Sequence, residues 1–246
     1  RAIVLQFGGA VGTLAALGHK GPAVSAALAR RLDLPEPRLP WHTHRDSLVE
    51  VAAALGLLTG TLGKFARDIA LAMQTEVAEV MEPASEGRGI SSTMPHKRNP
   101  VASAVILAVA TRVPPLVATL LTAMQQEQER GLGGWQAEWE IIPEIFRLAA
   151  VALARANEIA AGMEVQPERM LANLESTGGL AMSEAVTVAL TGPLGRNQAH
   201  ALLERASHQA LAQHRPLREV LLAMPEVRAH LTENQLDHIL DPRHYL

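Results

Sequence analysis

The chain has 246 residues, of which 48% are hydrophobic and only 3% aromatic, and its formal net charge is -3 at pH 7. This length supports a sizeable core in one or two domains, and the lack of a basic excess argues against a nucleic-acid partner. Because the sequence contains no cysteine, disulfides, thiolate nucleophiles and thiolate metal sites are excluded.

The apolar residues are mostly Ala, Leu and Val, which favours helices over strands. No segment alternates polar and apolar residues over a sustained length, so the predicted fold class is all-α. No signal peptide is recognisable and no apolar run approaches the roughly 20 residues of a membrane span, so we expect a cytoplasmic protein that does not bind membranes. The chain begins at Arg1, inside an apolar segment and without an initiator methionine, and we expect it to lack an N-terminal part.

The first third of the chain predicts a turn, a short helix and then a long one. Glycines and the apolar run in residues 1–18 indicate the end of a helix and a tight turn, and residues 21–33 predict a helix. Three prolines make residues 34–41 a rigid connector. In residues 44–81, apolar side chains recur every three or four positions, which predicts one helix about 55 Å long.

Glycines within this long segment predict close helix packing. Gly56, Gly60 and Gly63 would each cost about 1 kcal/mol relative to alanine in an exposed helix, and we expect a neighbouring helix to approach closely there. No charged residue occurs between Glu50 and Lys64. The helix is therefore expected to be buried on several faces, in the core of a bundle and at a subunit interface.

Two further long helices are predicted after residue 99. The first begins with Pro100 and extends to about residue 129, with Pro114-Pro115 kinking or breaking it. The second covers about 135–161, where Trp135 and Trp139 share a face. Core or interface packing is favoured for this pair over substrate contact.

Beyond residue 162 the predicted helices become shorter. They cover about 167–174, 180–191, 195–213, 216–223 and 232–239. The sequence therefore predicts a long central helical bundle in residues 1–163, with its N-terminal helices missing, and a small C-terminal helical domain in residues 164–246.

One polar stretch between two apolar helices carries the chemistry. Residues 86–100 read E-G-R-G-I-S-S-T-M-P-H-K-R-N-P and supply hydroxyls, a cation and an amide on a glycine-rich backbone. Removal of a proton beside a carboxylate needs a basic oxygen and donors for the developing negative charge. The stretch therefore indicates an active-site loop that closes over a substrate, with an ordinary surface loop as the alternative.

From Ser91 to Pro100 the chain resembles G-S-S-x-M-P-x-K-x-N-P, the signature of the fumarase/aspartase superfamily. The resemblance implies a helical bundle flanked by smaller helical domains, a homotetramer, and active sites that combine residues from three subunits. It assigns the catalytic base to Ser91, and it assigns the binding of a substrate carboxylate to Lys97 and Asn99. The other motif residues expected to contact the substrate are Ser92, Thr93 and Met94.

One position departs from the superfamily pattern. Ile90 stands where the family has glycine, which would stiffen the loop and alter the presentation of Ser91. Because a serine hydroxyl is a weak base, the resemblance also requires that the backbone and nearby positive groups activate Ser91.

Two residues outside the motif are further candidate substrate contacts. Arg45 precedes Asp46 at the start of the long helix, where an acidic residue suits the first turn. A buried Arg45 that binds a substrate carboxylate through two hydrogen bonds is the alternative to this capping role. Gln74 lies shortly before the motif in a mostly apolar stretch, which indicates a polar role there.

Metal binding is not predicted. His42 and His44 lack the H-E-x-x-H pattern and neighbouring carboxylates of a metal site, so surface or capping histidines are expected. No phosphate-cradling glycine fingerprint occurs, and no cofactor is predicted.

Within the superfamily, several stretches are similar to the bacterial cycloisomerases that lactonise 3-carboxy-cis,cis-muconate in protocatechuate breakdown, part of the beta-ketoadipate pathway of aromatic compound catabolism. They are Trp41–Asp46, 73–83, Gly133–Glu140, 171–180 and 241–246. The resemblance covers essentially the whole chain and implies serine acid/base chemistry on a small polycarboxylate. Since the family's conserved histidine and threonine precede Arg1, the chain by itself is expected to be inactive.

Two alternatives stay open. Adenylosuccinate lyase shares M-P-H-K-R-N-P, although it usually has a more basic segment where this chain has Trp135–Glu140. The other alternative is a non-catalytic helical scaffold of the kind found in lens crystallins of the superfamily. Ile90 favours the scaffold, whereas retention of Ser91, Lys97 and Asn99 argues against it.

Overall fold

The computed structural model describes residues 3–83 and 98–244. The chain divides into two compact units, Arg1–Val165 and Gln166–Leu246. The boundary expected from the sequence, between residues 163 and 164, lies two residues before this division.

The first unit contains the long helices. Its helices are α1 (Gly21–Leu32), α2 (Asp46–Ala72), α3 (Val101–Ala123) and α4 (Gly134–Gly162), preceded by a 3-10 helix at Ala15–Lys20. Two short strands, β1 (Val80–Met81) and β2 (Glu164–Val165), pair in antiparallel fashion, with Met81 opposite Glu164.

The second unit consists of shorter helices. They are α5 (Pro167–Glu175), α6 (Ser183–Leu194), α7 (Arg196–Gln213), α8 (Leu217–Ala223), α9 (Pro225–Arg228) and α10 (Glu233–Leu240), with 3-10 helices at Leu180–Met182 and Pro242–His244. The all-α prediction is confirmed. The sequence missed α9, which has only four residues and begins at a proline.

Each unit has its own apolar core. In the first unit, α2, α3 and α4 contribute side chains that are almost completely buried, among them Ala66, Ile106, Val113, Leu120, Ile145 and Ile159. In the second unit, α6, α7, α8 and α10 meet around Val186, Leu190, Ala206, Val220, Leu221 and Leu236. Burial of such side chains contributes about 1.5–3 kcal/mol each for the larger ones.

Glycines on α2 set its distance from α3. A Cβ placed on Gly63 would lie 2.6 Å from Ala110 Cβ, and one on Gly56 would lie 3.3 Å from Val117 Cγ2. Since the α3 partner moves backwards as the α2 position advances, the two helices run antiparallel. The expected close approach is therefore confirmed at Gly63 and Gly56, whereas no atom in the described part of this chain lies within 4 Å of a Cβ placed on Gly60.

The long helix expected over residues 44–81 is shorter than its apolar periodicity predicts. The helix ends at Ala72, and Ala78 has a φ of 52°, a left-handed conformation that an L-residue rarely adopts within a helix. Residues 80–81 then pair with β2 instead of continuing the helix. A period of three to four residues in the sequence does not reveal this change, because Val80, which is buried in the strand, also fits the apolar period of a helix.

In α3, the helix continues through two prolines that were expected to kink or break it. Pro114 and Pro115 lie inside one continuous helix, so the prediction of a break is wrong. Val113 and Leu120, on either side of them, are 0% and 1% exposed, and this packing holds both halves in place. The helix ends at Ala123 rather than near residue 129, and Gln128 has a φ of 45° in the connection that follows.

Two helices of the described chain, α2 and α3, are long and apolar enough to cross a membrane by length and composition alone. This corrects the expectation that no apolar run approaches that length. The core helix of a water-soluble bundle has the same length and composition, and α2 and α3 both contribute to the core of the first unit.

We predict that Gly63→Ala destabilises the protein by about 1–3 kcal/mol, because the new methyl group would overlap Ala110. Gly60→Ala, on the same helix, is the matched control. It should destabilise the protein less than Gly63→Ala, because alanine is the better helix former and no described atom of this chain lies within 4 Å of the added Cβ. Urea denaturation of the whole protein measures both changes, and equal effects of the two substitutions would contradict the packing described.

Candidate functional site

The structure describes only some of the residues predicted to form a site. Those outside the described residues are Ser91, Ser92, Thr93, Met94 and Lys97, together with Ile90 and His96. Asn99, Arg45 and Gln74 are described, and Asn99 lies next to one end of the segment 84–97. Their assigned roles therefore stay predictions, and the structure contributes the surroundings of the segment's two ends.

The end at residue 82 is fixed by a buried carboxylate. Glu82 is 7% exposed. Its Oε2 accepts a hydrogen bond from the Ala102 backbone N–H at 2.9 Å, and its Oε1 accepts one from the Ser103 N–H at 2.7 Å. The first N–H groups of a helix have no acceptor within the helix, so Glu82 supplies acceptors to the first turn of α3 from the other side of the motif.

Arg98, at the other end of the segment 84–97, bonds to Glu82 and to β2. The Arg98 guanidinium donates to Glu164 through Nη1 at 2.9 Å and through Nη2 at 3.1 Å, and Nη2 also donates to the Glu82 backbone carbonyl. The hydrogen bond with Glu164 raises the pKa of Arg98 above its ordinary value. Since Glu164 is opposite Met81 in the strand pair, both ends of the segment 84–97 attach to one small sheet.

Asn99 occupies the short link between Arg98 and α3. It is partly buried, and its backbone carbonyl accepts a hydrogen bond from the Val101 N–H at 2.9 Å. The helix begins at Val101 with Pro100 in the capping position, one residue later than the sequence predicts. The backbone of Asn99 is thereby fixed relative to the start of α3.

Arg45 lies at the far end of α2 and is 4% exposed. Its Nε donates to Glu138 Oε1 at 2.8 Å, its Nη2 donates to Glu138 Oε2, and its Nη1 donates to the His42 carbonyl at 2.7 Å. The guanidinium thus makes its bidentate pair with a carboxylate of its own chain. This pairing supports a structural role for Arg45, and its predicted contact with substrate stays a prediction.

Gln74 follows the C-terminal end of α2. Its side chain is exposed, and its amide donates to the Leu71 carbonyl at 3.1 Å. The 27 residues of α2 span roughly 40 Å at about 1.5 Å per residue. Arg45 and Gln74 are therefore at opposite ends of one helix, and within one chain they do not form a single site.

Around Arg45 the structure reveals a buried polar cluster that the sequence missed. His42 is 4% exposed, which corrects its interpretation as a surface residue, whereas His44 is exposed as expected. The ring of His42 meets Trp135 edge-on at 4.8 Å between centroids, and the Arg130 guanidinium lies 4.2 Å from the centre of the Trp135 ring. Burial lowers the pKa of His42 below its ordinary 6.5, and the charges of Arg130 and Arg45 lower it further.

The two tryptophans differ in their surroundings. Trp135 packs against His42 and, at 5.2 Å, against Trp139. Trp139 is 58% exposed in this chain. The predicted packing role therefore holds for Trp135, and Trp139 presents a large apolar surface on α4.

The acidic residues that hold this architecture carried a weak sequence signal. Glu82 precedes Pro83 just after an apolar stretch, and Glu138 lies between the two tryptophans in W-Q-A-E-W-E. Local periodicity could not identify their partners, because Ala102 is 20 positions from Glu82 and Arg45 is 93 positions from Glu138. Among the described residues, no group of three or more histidine or acidic side chains is arranged to hold a metal ion.

A broad open groove of about 1250 Å³ lies between α6 and α7 in the second unit. Its lining is mixed, with Arg196, Asn197 and His200 beside Val188 and Leu203. None of the described candidate residues Arg45, Gln74 and Asn99 lines it.

Comparison with known proteins gives consistent similarities. The lyase family profile matches residues 1–114, and the profile for the adenylosuccinate lyase C-terminus matches residues 179–246. The chain is 56% identical over all 246 residues to a 3-carboxy-cis,cis-muconate cycloisomerase of Pseudomonas aeruginosa and 52% identical over 243 residues to one of Bradyrhizobium diazoefficiens. It covers 100% and 99% of itself in these matches but 54% of each relative, so it spans about half the length of the curated relatives it matches.

A solved structure is similar to this chain in both fold and sequence. The crystal structure of 3-carboxy-cis,cis-muconate lactonizing enzyme from Pseudomonas putida matches with a TM-score of 0.90 and 55% sequence identity, over 99% of this chain and 54% of that one.

We predict that Glu138→Gln destabilises the protein by about 3–5 kcal/mol, because it leaves the buried Arg45 charge without its partner. Glu144→Gln is the matched control. Glu144 pairs with Arg112 and Arg147, whose side chains are 60% and 73% exposed, so its loss should cost less than about 1 kcal/mol. Urea denaturation measures both, and a loss from Glu138→Gln no larger than the control's would contradict the structural role of the pair.

Stability should also fall as the pH drops below 6.5, because His42 has a lowered pKa in the folded protein. Below pH 6.5 the unfolded chain binds a proton at this residue while the folded chain does not, so acid favours unfolding. His42→Phe retains a ring against Trp135 and should reduce the loss of unfolding free energy between pH 7.5 and 5.5. An equal loss in the variant and the parent would show that His42 does not contribute.

Proposed function

Since the chain belongs to the fumarase/aspartase superfamily, we propose that the whole protein is a cycloisomerase that converts 3-carboxy-cis,cis-muconate into 4-carboxymuconolactone. The observation that carries the proposal is the 56% identity, over the full 246 residues, with a 3-carboxy-cis,cis-muconate cycloisomerase. The superfamily resemblance of the S-S-T-M-P-H-K-R-N-P motif is confirmed by the lyase family match and supports the chemistry.

The proposed reaction needs one carbon–oxygen bond and one proton transfer. A carboxylate oxygen of the substrate adds to a carbon–carbon double bond of the same molecule, and the displaced electron pair moves to the carbon beside another carboxylate. The resulting enolate-like carboxylate carries extra negative charge, which a cation and amide donors stabilise. A proton then adds to that carbon, and no cofactor is required.

Ser91 is the proposed acid/base group, which delivers this proton in the forward direction and removes it in reverse. Lys97 and Asn99 are proposed to bind the carboxylate that gains charge, with Ser92, Thr93 and Met94 beside them. For Asn99 the proposal gains support from its fixed backbone at the start of α3. Arg45 and Gln74 are the weaker members of the proposed substrate-binding set, because Arg45 pairs with Glu138 and Gln74 is exposed.

A homotetramer with shared active sites is part of the proposal. Large apolar side chains on the bundle helices are exposed in the single chain, including Leu57 at 77%, Leu121 at 52%, Phe146 at 50% and Leu153 at 51%. Exposed apolar surface of this kind favours association between subunits. We propose a cytoplasmic enzyme that acts on small polycarboxylates.

Adenylosuccinate lyase activity is the second candidate, and the match of residues 179–246 to the C-terminus of that enzyme favours it. Against it, the segment Trp135–Glu140 contains two acidic residues and no basic one, which suits a nucleotide phosphate poorly. A non-catalytic scaffold remains the third candidate.

Ultraviolet absorbance of the whole protein with each substrate separates the three candidates. Loss of the conjugated absorbance of carboxymuconate supports the cycloisomerase, cleavage of adenylosuccinate supports the lyase, and inactivity on both supports the scaffold. The first result alone is expected.

We predict that Ser91→Ala lowers kcat for carboxymuconate by about 100- to 10,000-fold, the usual contribution of a general acid or base. Ser85→Ala, which makes the same change outside the motif, is the control and should remain within twofold of the parent. Steady-state kinetics of the two variants measure the difference. A Ser91→Ala enzyme with most of its turnover would exclude serine as the acid/base group.

A further inference from the structure

Three charged side chains connect the parts of the chain on both sides of the segment 84–97. Glu82 precedes the segment 84–97, Arg98 follows it, and Glu164 belongs to β2 after α4. We propose that these three residues, here called the Glu82 clamp, position Asn99 and the start of α3 for the chemistry of the motif. This inference rests on the proposed function, because it assigns positioning residues to the same site.

The first part of the clamp is the capping of α3 by Glu82. No acidic side chain occurs in the first turn of α3, and Pro100 offers no side-chain cap. The Glu82 carboxylate, from elsewhere in the chain, acts as the cap by accepting the hydrogen bonds of the Ala102 and Ser103 N–H groups. A carboxylate at this place also interacts favourably with the positive end of the helix dipole.

Capping by Glu82 makes the N-terminus of α3 less available to a substrate carboxylate. A free helix N-terminus would attract a substrate carboxylate, but two N–H groups of this one are occupied by a buried carboxylate from the same chain. A substrate carboxylate is therefore left to the side chains of the motif.

The second part of the clamp is Arg98, whose guanidinium joins the Glu82 carbonyl to the Glu164 carboxylate. Although Arg98 lies within M-P-H-K-R-N-P, its charge is used inside the chain. Lys97 and Arg98 thus have separate tasks in the proposal, with Lys97 for the substrate and Arg98 for the clamp. A third contact supports the same junction, since a Cβ on Gly162 would lie 2.9 Å from Pro83 Cβ.

The clamp reaches the motif through Asn99. Only Pro100 separates Asn99 from α3, and Arg98 precedes it directly. With Arg98 held by Glu164 and α3 held by Glu82, the backbone of Asn99 is fixed on both sides. A small displacement of a group that binds substrate can reduce turnover by about 100-fold even when the substitution is remote.

The test uses the whole protein with 3-carboxy-cis,cis-muconate. Glu82→Gln should lower kcat/KM by about 10- to 100-fold, and Glu82→Asp, which retains the carboxylate, should recover part of the loss. Glu164→Gln weakens a half-exposed ion pair and should lower kcat/KM by a smaller factor than Glu82→Gln, but by more than the control. Glu144→Gln makes the same change in an ion pair between α3 and α4 and should remain within twofold of the parent. Assays are run well below the unfolding temperature of every variant.

A double-mutant cycle distinguishes positioning from a merely structural role. If Glu82 acts through Asn99, then Glu82→Gln should cost much less in an Asn99→Ala background than in the parent, because interacting residues give non-additive losses. Additive losses, or a Glu82→Gln enzyme within twofold of the parent, would overturn the proposal.

Hydrogen exchange measured by mass spectrometry on the peptide 98–106 provides a readout without substrate. Exchange should accelerate in Glu82→Gln and stay unchanged in Glu144→Gln, because only the first removes an acceptor of the α3 first turn. If the parent protein fails to lactonise carboxymuconate, the proposed function fails, and the exchange experiment decides the clamp by itself. Unchanged exchange in Glu82→Gln would then overturn it.

Discussion

The first unit depends on the antiparallel packing of α3 against α2, which Gly63 permits by admitting Ala110 at close range. Because α3 reverses the direction of α2, the end of α2 and the start of α3 lie together, and the end of α4 joins them through the strand pair. The segment that contains the motif connects β1, which follows α2, to the start of α3. Helix packing therefore determines where the described residues on either side of the segment 84–97 lie.

Different polar interactions connect the helices at the two ends of the bundle. At one end the buried Arg45–Glu138 pair joins the starts of α2 and α4, and at the other Glu82 and Arg98 join β1, α3 and β2. Arg45, Glu138 and Glu82 are buried, and buried charges are unfavourable unless paired or hydrogen-bonded, so these three residues favour one arrangement of their partners. Arg45 and Asn99 lie at opposite ends of the bundle, which agrees with the proposal that active sites combine different subunits.

Much of the fold could be predicted from the sequence, because long apolar periodicity indicates helices directly. The motif likewise identified the superfamily from ten consecutive residues. The strand at Val80–Met81 could not be predicted, since two residues carry no periodicity and their pairing partner is more than 80 positions away. The same reason hid Glu82, Glu138 and the burial of His42, whose roles depend on long-range partners rather than on neighbouring residues.

The most direct measurement is product analysis by NMR after incubation of the whole protein with 3-carboxy-cis,cis-muconate in deuterated water. The proposed chemistry predicts 4-carboxymuconolactone with one deuterium on the carbon beside a carboxylate, because the transferred proton exchanges with solvent. Unchanged substrate, or a lactone without deuterium at that carbon, would contradict the proposed function and its proton transfer.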